Sequence, residues 1–298
     1  MRLCRIWGFG MTTVTARRFF STEPIRVDPV DEYKFYSSLK MRNGTFKLTR
    51  PSRFAGVEAE IRSVIEQRAK SIRHVLDVGA STGRTTIELA DFLCSVGASA
   101  RVVGTDLFVD AHLIEVVPGL RILTDAQGWP LQYDVAGLAL RAWIRRLDFL
   151  TLAVVPRVMA RALLRPRLSR KIAEGRTIPV RMESPALAAR SIELVENDIF
   201  VPTPNFFGRF DLIRAANILN KGYFPAHRLT MAISNIRSYC RGPGALVLVL
   251  RSEGEKHNGS LFELGGDSRL HLKGRVGSGS EIEPLILGVG VAAAGEPS

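Results

Sequence analysis

His74-Val75-Leu76-Asp77-Val78-Gly79-Ala80-Ser81-Thr82-Gly83 is the stretch on which the fold turns. A short valine-rich run is followed by a turn bracketed by two glycines. Residues 84–93 then place apolar side chains at helical period, so the order is strand, turn, helix. Working outward, residues 101–104 form a second valine-rich run ending at Asp106, which makes 74–106 a βαβ unit of 33 residues joining two parallel strands. Later strands are expected over 191–195, leading into Glu196-Asn197-Asp198-Ile199, and over 210–213, leading into Arg214-Ala215-Ala216-Asn217. A helix over 228–240 and the turn Arg241-Gly242-Pro243-Gly244 precede the continuous apolar run 245–250, which suits a central strand covered on both faces. Residues 269–273 and 284–287 read as edge strands. Strands alternating with helices predict an α/β fold with a doubly wound, mostly parallel sheet, whose ligands collect at the carboxyl ends of the strands.

The chain has 298 residues, 46% hydrophobic and 23% charged. That is enough apolar surface for a core, which excludes a disordered chain, a collagen and a disulfide scaffold. Cys4, Cys94 and Cys240 have no CxxC spacing and an odd total, so no zinc cluster, metal site or disulfide framework is expected. The cytoplasm, a reducing compartment, is the expected setting. No uninterrupted apolar run approaches the roughly 18 residues of a membrane span. Residues 1–22 carry four arginines and no acid. They read as a loose, disordered leader, with a transit peptide or a start at Met11 as alternatives. Residues 23–73 read as an N-terminal cap with a helix over 54–70. Residues 74–287 read as the main domain, with an insertion over 110–190, and 288–298 as a tail.

The chemistry gathers where strands end. Gly79 and Gly83 let the backbone bend and a ligand come close, and the following helix starts with its amides available. Asp106, 23 residues after Gly83, ends the second strand where a carboxylate can accept both hydroxyls of a ribose. Asp198 is placed to accept from an adenine amino group, with Ile199 offering apolar contact. A dinucleotide-binding GxGxxG would need a middle glycine that is absent here. In the plainest alternative the glycines are bends and the acids are helix caps.

These segments, with Phe210-Asp211-Leu212-Ile213 and Gly242-Pro243-Gly244, resemble the class I S-adenosylmethionine-dependent methyltransferases over about 74–109 and 191–251. The resemblance implies a Rossmann-like, class I methyltransferase-like sheet, S-adenosylmethionine as cofactor, and methyltransferase activity. It assigns Asp77, Gly79, Ala80, Ser81, Thr82 and Gly83 to the methionine and ribose portions, and Asp106 with Leu107 to the ribose. Asn197, Asp198 and Ile199 fall to adenine, and Asn217 to the neighbourhood of the sulfonium. Ser81 stands where the family has its middle glycine. The stretch 210–220 with Tyr223-Phe224 is also similar to chemotaxis-receptor methyltransferases. An Asn-Pro-Pro-Tyr stretch and a Lys-Asp-Lys-Glu tetrad are both missing, so adenine or glutamine amino groups and RNA ribose are not implied as acceptors. No catalytic residue is assigned; His227 and His257 could take a proton from an oxygen or carbon acceptor, and Tyr223 and Asn220 could touch one, or all four could be loop and packing residues.

The net charge of +12 is concentrated between Leu138 and Arg181, where eleven basic residues face two acids. Arg157, Arg161 and Arg165 recur every four residues and predict one cationic helical stripe, with Val158, Met159, Leu163 and Leu164 on other faces. Preceded by a hairpin over 120–133, this basic helical insertion reads either as a lid helix or as an interfacial helix holding anionic head groups. RNA is a third use, with Trp143 and Phe149 the aromatic residues available for stacking. The expectation is a methyltransferase acting on a lipid-like or amphipathic acceptor, peripheral to an anionic membrane. The alternative is a non-catalytic nucleoside-binding protein that docks on membrane or RNA through the insertion.

Overall fold

The computed structural model describes residues 14–23, 27–47, 50–144, 146–150, 154–190, 192–254 and 256–289. In chain order the elements begin α1 (Ala16–Ser21), α2 (Pro29–Ser37), α3 (Ala55–Arg68), β1 (His74–Val78), α4 (Arg84–Ser95) and β2 (Arg101–Asp106). Next come β3 (Asp110–Val117), β4 (Leu120–Asp125), β5 (Pro130–Val135), β6 (Leu138–Arg141), α5 (Arg146–Leu150), α6 (Val154–Ala173) and β7 (Ile178–Arg181). The remainder is β8 (Glu193–Glu196), β9 (Leu212–Ala216), α7 (Ala226–Tyr239), β10 (Leu246–Glu253), β11 (Lys256–Leu264), β12 (Leu270–Val276) and α8 (Glu283–Gly288). The chain divides into two compact units, residues 1–50 with 108–186, and 51–107 with 187–298. The stretch 23–73, read from sequence as one cap, is thus shared between them.

The first unit is built on a five-stranded antiparallel sheet in the order β6-β5-β4-β3-β7. The expected hairpin is β4 and β5, closed by Asp125, whose Oδ1 accepts from the amides of Gln127 (3.0 Å) and Trp129 (2.8 Å). The rest of the insertion adds three strands, β3, β6 and β7, to its helices, and β3 pairs with β7 across a long intervening stretch that local periodicity does not link. Residues 14–22 are not the loose leader expected. Thr15 caps α1, the Ala16 amide donates to Gln132 Oε1 at 2.7 Å, and Phe19 stacks on Phe35 at 4.1 Å. Residues 1–13, and the tail from 290 onward, lie outside the described residues.

Two of the three arginines in the α6 stripe face inward, and Arg165 stays exposed. Arg157 is buried, with Nε 3.2 Å from Asp148 Oδ2, and its guanidinium donates to the Arg141 carbonyl at 2.7 Å. Arg161 donates to the Ala142 carbonyl at 3.0 Å and lies 4.4 Å over the Trp129 ring. Asp148 is itself buried and also binds Arg141 at 2.7 Å. A buried carboxylate requires counter-charge, and Arg157 of α6 together with Arg141 supplies it. Leu164 packs inward with them, while Val158, Met159 and Leu163 face water. Trp143 is occupied as well, its indole donating to the Ser38 carbonyl at 2.9 Å.

The second unit holds a seven-stranded, mostly parallel sheet in the order β12-β11-β10-β9-β1-β2-β8. From β1 the chain steps outward to β2 and β8, then returns to β9 on the other side of β1 and continues to β10, so the strand order reverses between β1 and β9. The sheet closes with β11 and β12, both antiparallel to their predecessors. Alternation along the strands makes two cores. Leu76, Val78, Ile213 and Val247 pack under α7, whereas Val75, Leu212 and Leu246 pack under α3 and α4. This is the doubly wound α/β sheet expected. One edge element differs: 284–287 is helical, with Pro284 in the first turn of α8, a position where proline's missing amide costs nothing, and Ile286 buried.

Among the layers under α3 and α4 sits one charged pair. Asp77 and Arg214 are register partners on β1 and β9, both about as buried as the core leucines, and Arg214 Nε and Nη2 donate to the two oxygens of Asp77 at 2.8 and 2.7 Å. Thr86 Oγ1 donates to the same carboxylate at 2.6 Å, and Arg214 Nη2 to the Thr85 carbonyl at 2.9 Å. Removing one partner strands the other charge in an apolar layer, so Arg214→Ala is expected to lower the unfolding free energy in urea by about 3–5 kcal/mol. Asp77→Val combined with Arg214→Met should recover most of that loss; equal stability of the single variant and the native chain would mean the pair carries no such constraint.

Candidate functional site

Parallel strands end together, so the segments leaving β1, β2, β8 and β9 meet along one edge of the sheet, and the point where strand order reverses is where sheets of this kind bind ligands. After β1 the chain has five residues in which to turn into α4. Gly79 and Gly83 take φ of +80° and +83°, a region costly for residues with a Cβ. A Cβ on Gly79 would strike Ile218, and one on Gly83 would lie 2.7 Å from Leu187 Cδ1. Ser81, in the family's middle-glycine position, adopts the same left-handed region at φ 57°. Strain of this kind persists only where surroundings hold it. Here the Gly79 and Ala80 amides both donate to the Thr105 carbonyl at 2.8 Å, and the Ser81 amide donates to Asp106 Oδ2 at 2.9 Å. The turn is therefore fastened to the end of β2. Thr82 is buried at its base, and α4 begins with no side-chain hydrogen bond at its N-cap, Gly83, leaving its first-turn amides to other acceptors.

Asp106 is half-buried, and its backbone carbonyl accepts from the Asn197 amide at 2.9 Å, which brings the β8 end beside it. Asp198 follows at once, with Oδ1 accepting from the Phe200 amide at 3.0 Å, while Asn197 Nδ2 donates to Thr203 Oγ1 at 2.7 Å. Leu107 is partly exposed beside Asp106. Two expectations need correction. Asp77 does not join the other two acids: its carboxylate points into the layer under α3 and α4 and is taken up by Arg214 and Thr86. Ile199 is buried in the α7 core, so it supports Asp198 from below and offers no open apolar face. Phe200, ringed by Phe224 at 4.7 Å and the Arg228 guanidinium at 4.2 Å, is the aromatic group next to Asp198 that sequence reading passed over.

Asn217 is the second non-glycine residue of the site in the left-handed region, at φ 63°. Its Oδ1 accepts from the Ser252 amide at 2.6 Å, and Ser252 Oγ lies 2.9 Å from His257 Nδ1, so Asn217, Ser252 and His257 form one polar chain across the ends of β9, β10 and β11. Burial, reinforced by Arg53, holds His257 below the usual histidine range, which keeps its imidazole neutral at pH 7. His227 and Tyr223 are exposed. Asn220 is turned onto its own loop, with Oδ1 accepting from the Gly222 amide at 2.6 Å. Ser252 carries no motif, and only the pairing of β10 with β11 reveals it.

Comparison with solved structures finds low-identity likenesses to methyltransferases. S-adenosylmethionine-bound CalS10, an amino pentose methyltransferase from Micromonospora echinaspora, matches at 12% identity over 72% of this chain and 64% of its own, with a TM-score of 0.32. A SAM-dependent methyltransferase from Aquifex aeolicus matches at 12% identity over 78% of each chain, with a TM-score of 0.34. TrmN from Thermus thermophilus matches at 15% identity over 75% of this chain and 52% of its own, with a TM-score of 0.31. The chain spans 28% of the length of the citrinin polyketide synthase CMeT domain structure that it also matches. No family model and no curated protein matches it. The mostly parallel, doubly wound seven-stranded sheet is the fold class that the sequence resemblance to class I methyltransferases implies.

Glu58 of α3 adds a titrating group near this edge. Burial pushes its carboxyl up from 4.5 to about 7, against the pull of Arg214, with Glu88 raising it further, and its Oε1 has no hydrogen-bond partner among the described residues. A carboxyl raised in the folded state makes folding favour the protonated form, so stability falls as pH climbs from 4.5 through about 7. Glu58→Gln should remove that slope: relative to the native chain it gains stability in urea unfolding above this window and not below it. A parallel pH dependence of the two proteins would contradict the assignment.

Proposed function

We propose that this chain is an S-adenosylmethionine-dependent methyltransferase. The observation that carries the reading is the bond from the strained Ser81 amide to the Asp106 carboxylate, which sets a ribose-binding acid against a glycine turn at the point where strand order reverses. An ionised carboxylate has room for about four hydrogen bonds, so Asp106 can anchor the turn and accept from a ribose as well. Asp198, on the neighbouring strand end, is available to an adenine amino group, with Phe200 alongside. The uncapped first turn of α4 suits a carboxylate, as the methionine portion would present. The residues present fit the cofactor, except that Asp77 supports the loop from below and leaves ligand contact to the backbone.

When bound, S-adenosylmethionine supplies a methyl group already activated on a sulfonium, so alignment and exclusion of water are what the protein contributes. Asn217, locked at φ 63° by Ser252, orients the end of β9 toward that centre. In the tautomer whose Nδ1–H donates to Ser252 Oγ, a neutral His257 presents Nε2 as a proton acceptor for an oxygen or carbon acceptor. His227 and Tyr223, exposed and without such support, are less suited to it. A lipid-like or amphipathic acceptor is the class we favour.

Isothermal calorimetry with S-adenosylmethionine and S-adenosylhomocysteine tests the reading. Both should bind, and Asp106→Ala should weaken binding by about 1–3 kcal/mol, the range for a lost hydrogen bond to a charged group. Asp106→Asn, which can still accept from the Ser81 amide, should lose less. Absence of heat with either ligand would overturn the reading, and tight binding with no methyl transfer across an acceptor panel would make the chain a nucleoside-binding protein without catalysis.

A further inference from the structure

Helix α6 turns Arg157 and Arg161 inward and leaves a strip of apolar side chains exposed. Arg157, Arg161, Leu164, Leu168 and Ile172 recur at helical spacing and face the interior of the first unit. The opposite face presents Val155, Met159 and Leu163, joined by Val158 and by Phe149 and Leu150 of α5, each between 48% and 81% exposed. Exposed apolar residues scattered singly need no account, whereas a run along two successive helices marks a surface built to be covered. Arg165 and Arg167 are exposed on the two flanks of this strip, Arg170 continues it at the far end, and Arg146 stands at the start of α5. The helices α5 and α6 contain one acid, Asp148, and it is buried against Arg141 and Arg157. The nearest exposed acid, Glu174, follows the helix and lies 3.9 Å from Arg170.

We propose that this face docks on a membrane surface rich in anionic lipid, independently of any methyl transfer. A surface that is apolar along its centre and cationic along both flanks is complementary to a layer whose acyl chains lie just beneath negative head groups. Valine, methionine, leucine and phenylalanine enter the acyl boundary while the arginines extend outward to phosphate. A second copy of the chain is a poor occupant, because joining two such faces would oppose arginine to arginine with no exposed acid on α5 or α6 between them. The sequence expectation of membrane contact is kept but its chemistry is exchanged: Arg157 and Arg161 shape the unit from inside, and the lipid-facing residues are the apolar ones.

The test is flotation of the full chain with phosphatidylcholine vesicles, with and without phosphatidylglycerol. The chain should float with the anionic vesicles, less so at high salt, and stay behind with phosphatidylcholine alone. Leu150→Asp, Met159→Asp and Leu163→Asp together should abolish flotation while the circular dichroism spectrum and binding of S-adenosylhomocysteine are unchanged, which separates this proposal from the methyltransferase reading. Arg165→Gln, Arg167→Gln and Arg170→Gln together should remove the preference for anionic vesicles. Flotation of the aspartate variant equal to the native chain, or no flotation of the native chain at low salt, would overturn the proposal. So would a dimer in analytical ultracentrifugation that Leu163→Asp dissociates, since the face would then belong to a second copy.

Discussion

A guanidinium and a carboxylate held face to face between the two central strands set the terms for this protein. Asp77 and Arg214 stand opposite each other in the β1 and β9 register, inside a layer otherwise filled by valine, leucine and phenylalanine. A buried ion pair adds little to stability, because desolvation offsets most of the attraction. What it does impose is register: a slip of one residue between β1 and β9 would send the two charges to opposite faces, each without its partner. The relative height at which the two strands end is thereby set, and from those ends leave the glycine turn and the Asn217 segment.

The functional edge inherits its shape from that constraint. The turn from Gly79 to Gly83 is stitched to β2 through Thr105 and Asp106, and the Asn217 segment is stitched to β10 through Ser252. Ser81 and Asn217 thus sit in the left-handed region on either side of the reversal in strand order. Backbone held in that region at both of these strand ends is the kind of strain that an isolated bend would relax. The acids divide their labour by layer. Asp106 and Asp198 end their strands at the edge, while Asp77 acts one layer below as the partner of Arg214.

Much of the sheet was legible because β1, α4, β2 and β10 are local: a valine run or a helical period declares each one within its own residues. Asp106, Asp198 and Asn217 were legible for the same reason, as residues that end such runs. What escaped was set by partners distant in sequence. Whether Asp77 faces a ligand or the core is decided by Arg214, 137 residues away. A lone arginine in the apolar strand 212–216 was a usable signal of such a pair. Periodicity showed that Arg157, Arg161 and Arg165 lie near one another on α6, but that Arg157 faces inward is decided by Asp148, outside the helix. The strand β11 begins with Lys256, His257, Asn258 and Gly259, whose composition hides the pairing with β10 that gives His257 its Ser252 contact.

Everything at this edge depends on a nucleoside binding where the glycine turn meets Asp106, and a crystal structure with S-adenosylhomocysteine tests that most directly. The ribose hydroxyls should lie within hydrogen-bond distance of Asp106 and the adenine amino group beside Asp198, with Asp77 still clasped by Arg214. Density for the ligand elsewhere, or a ribose that leaves Asp106 untouched, would contradict it.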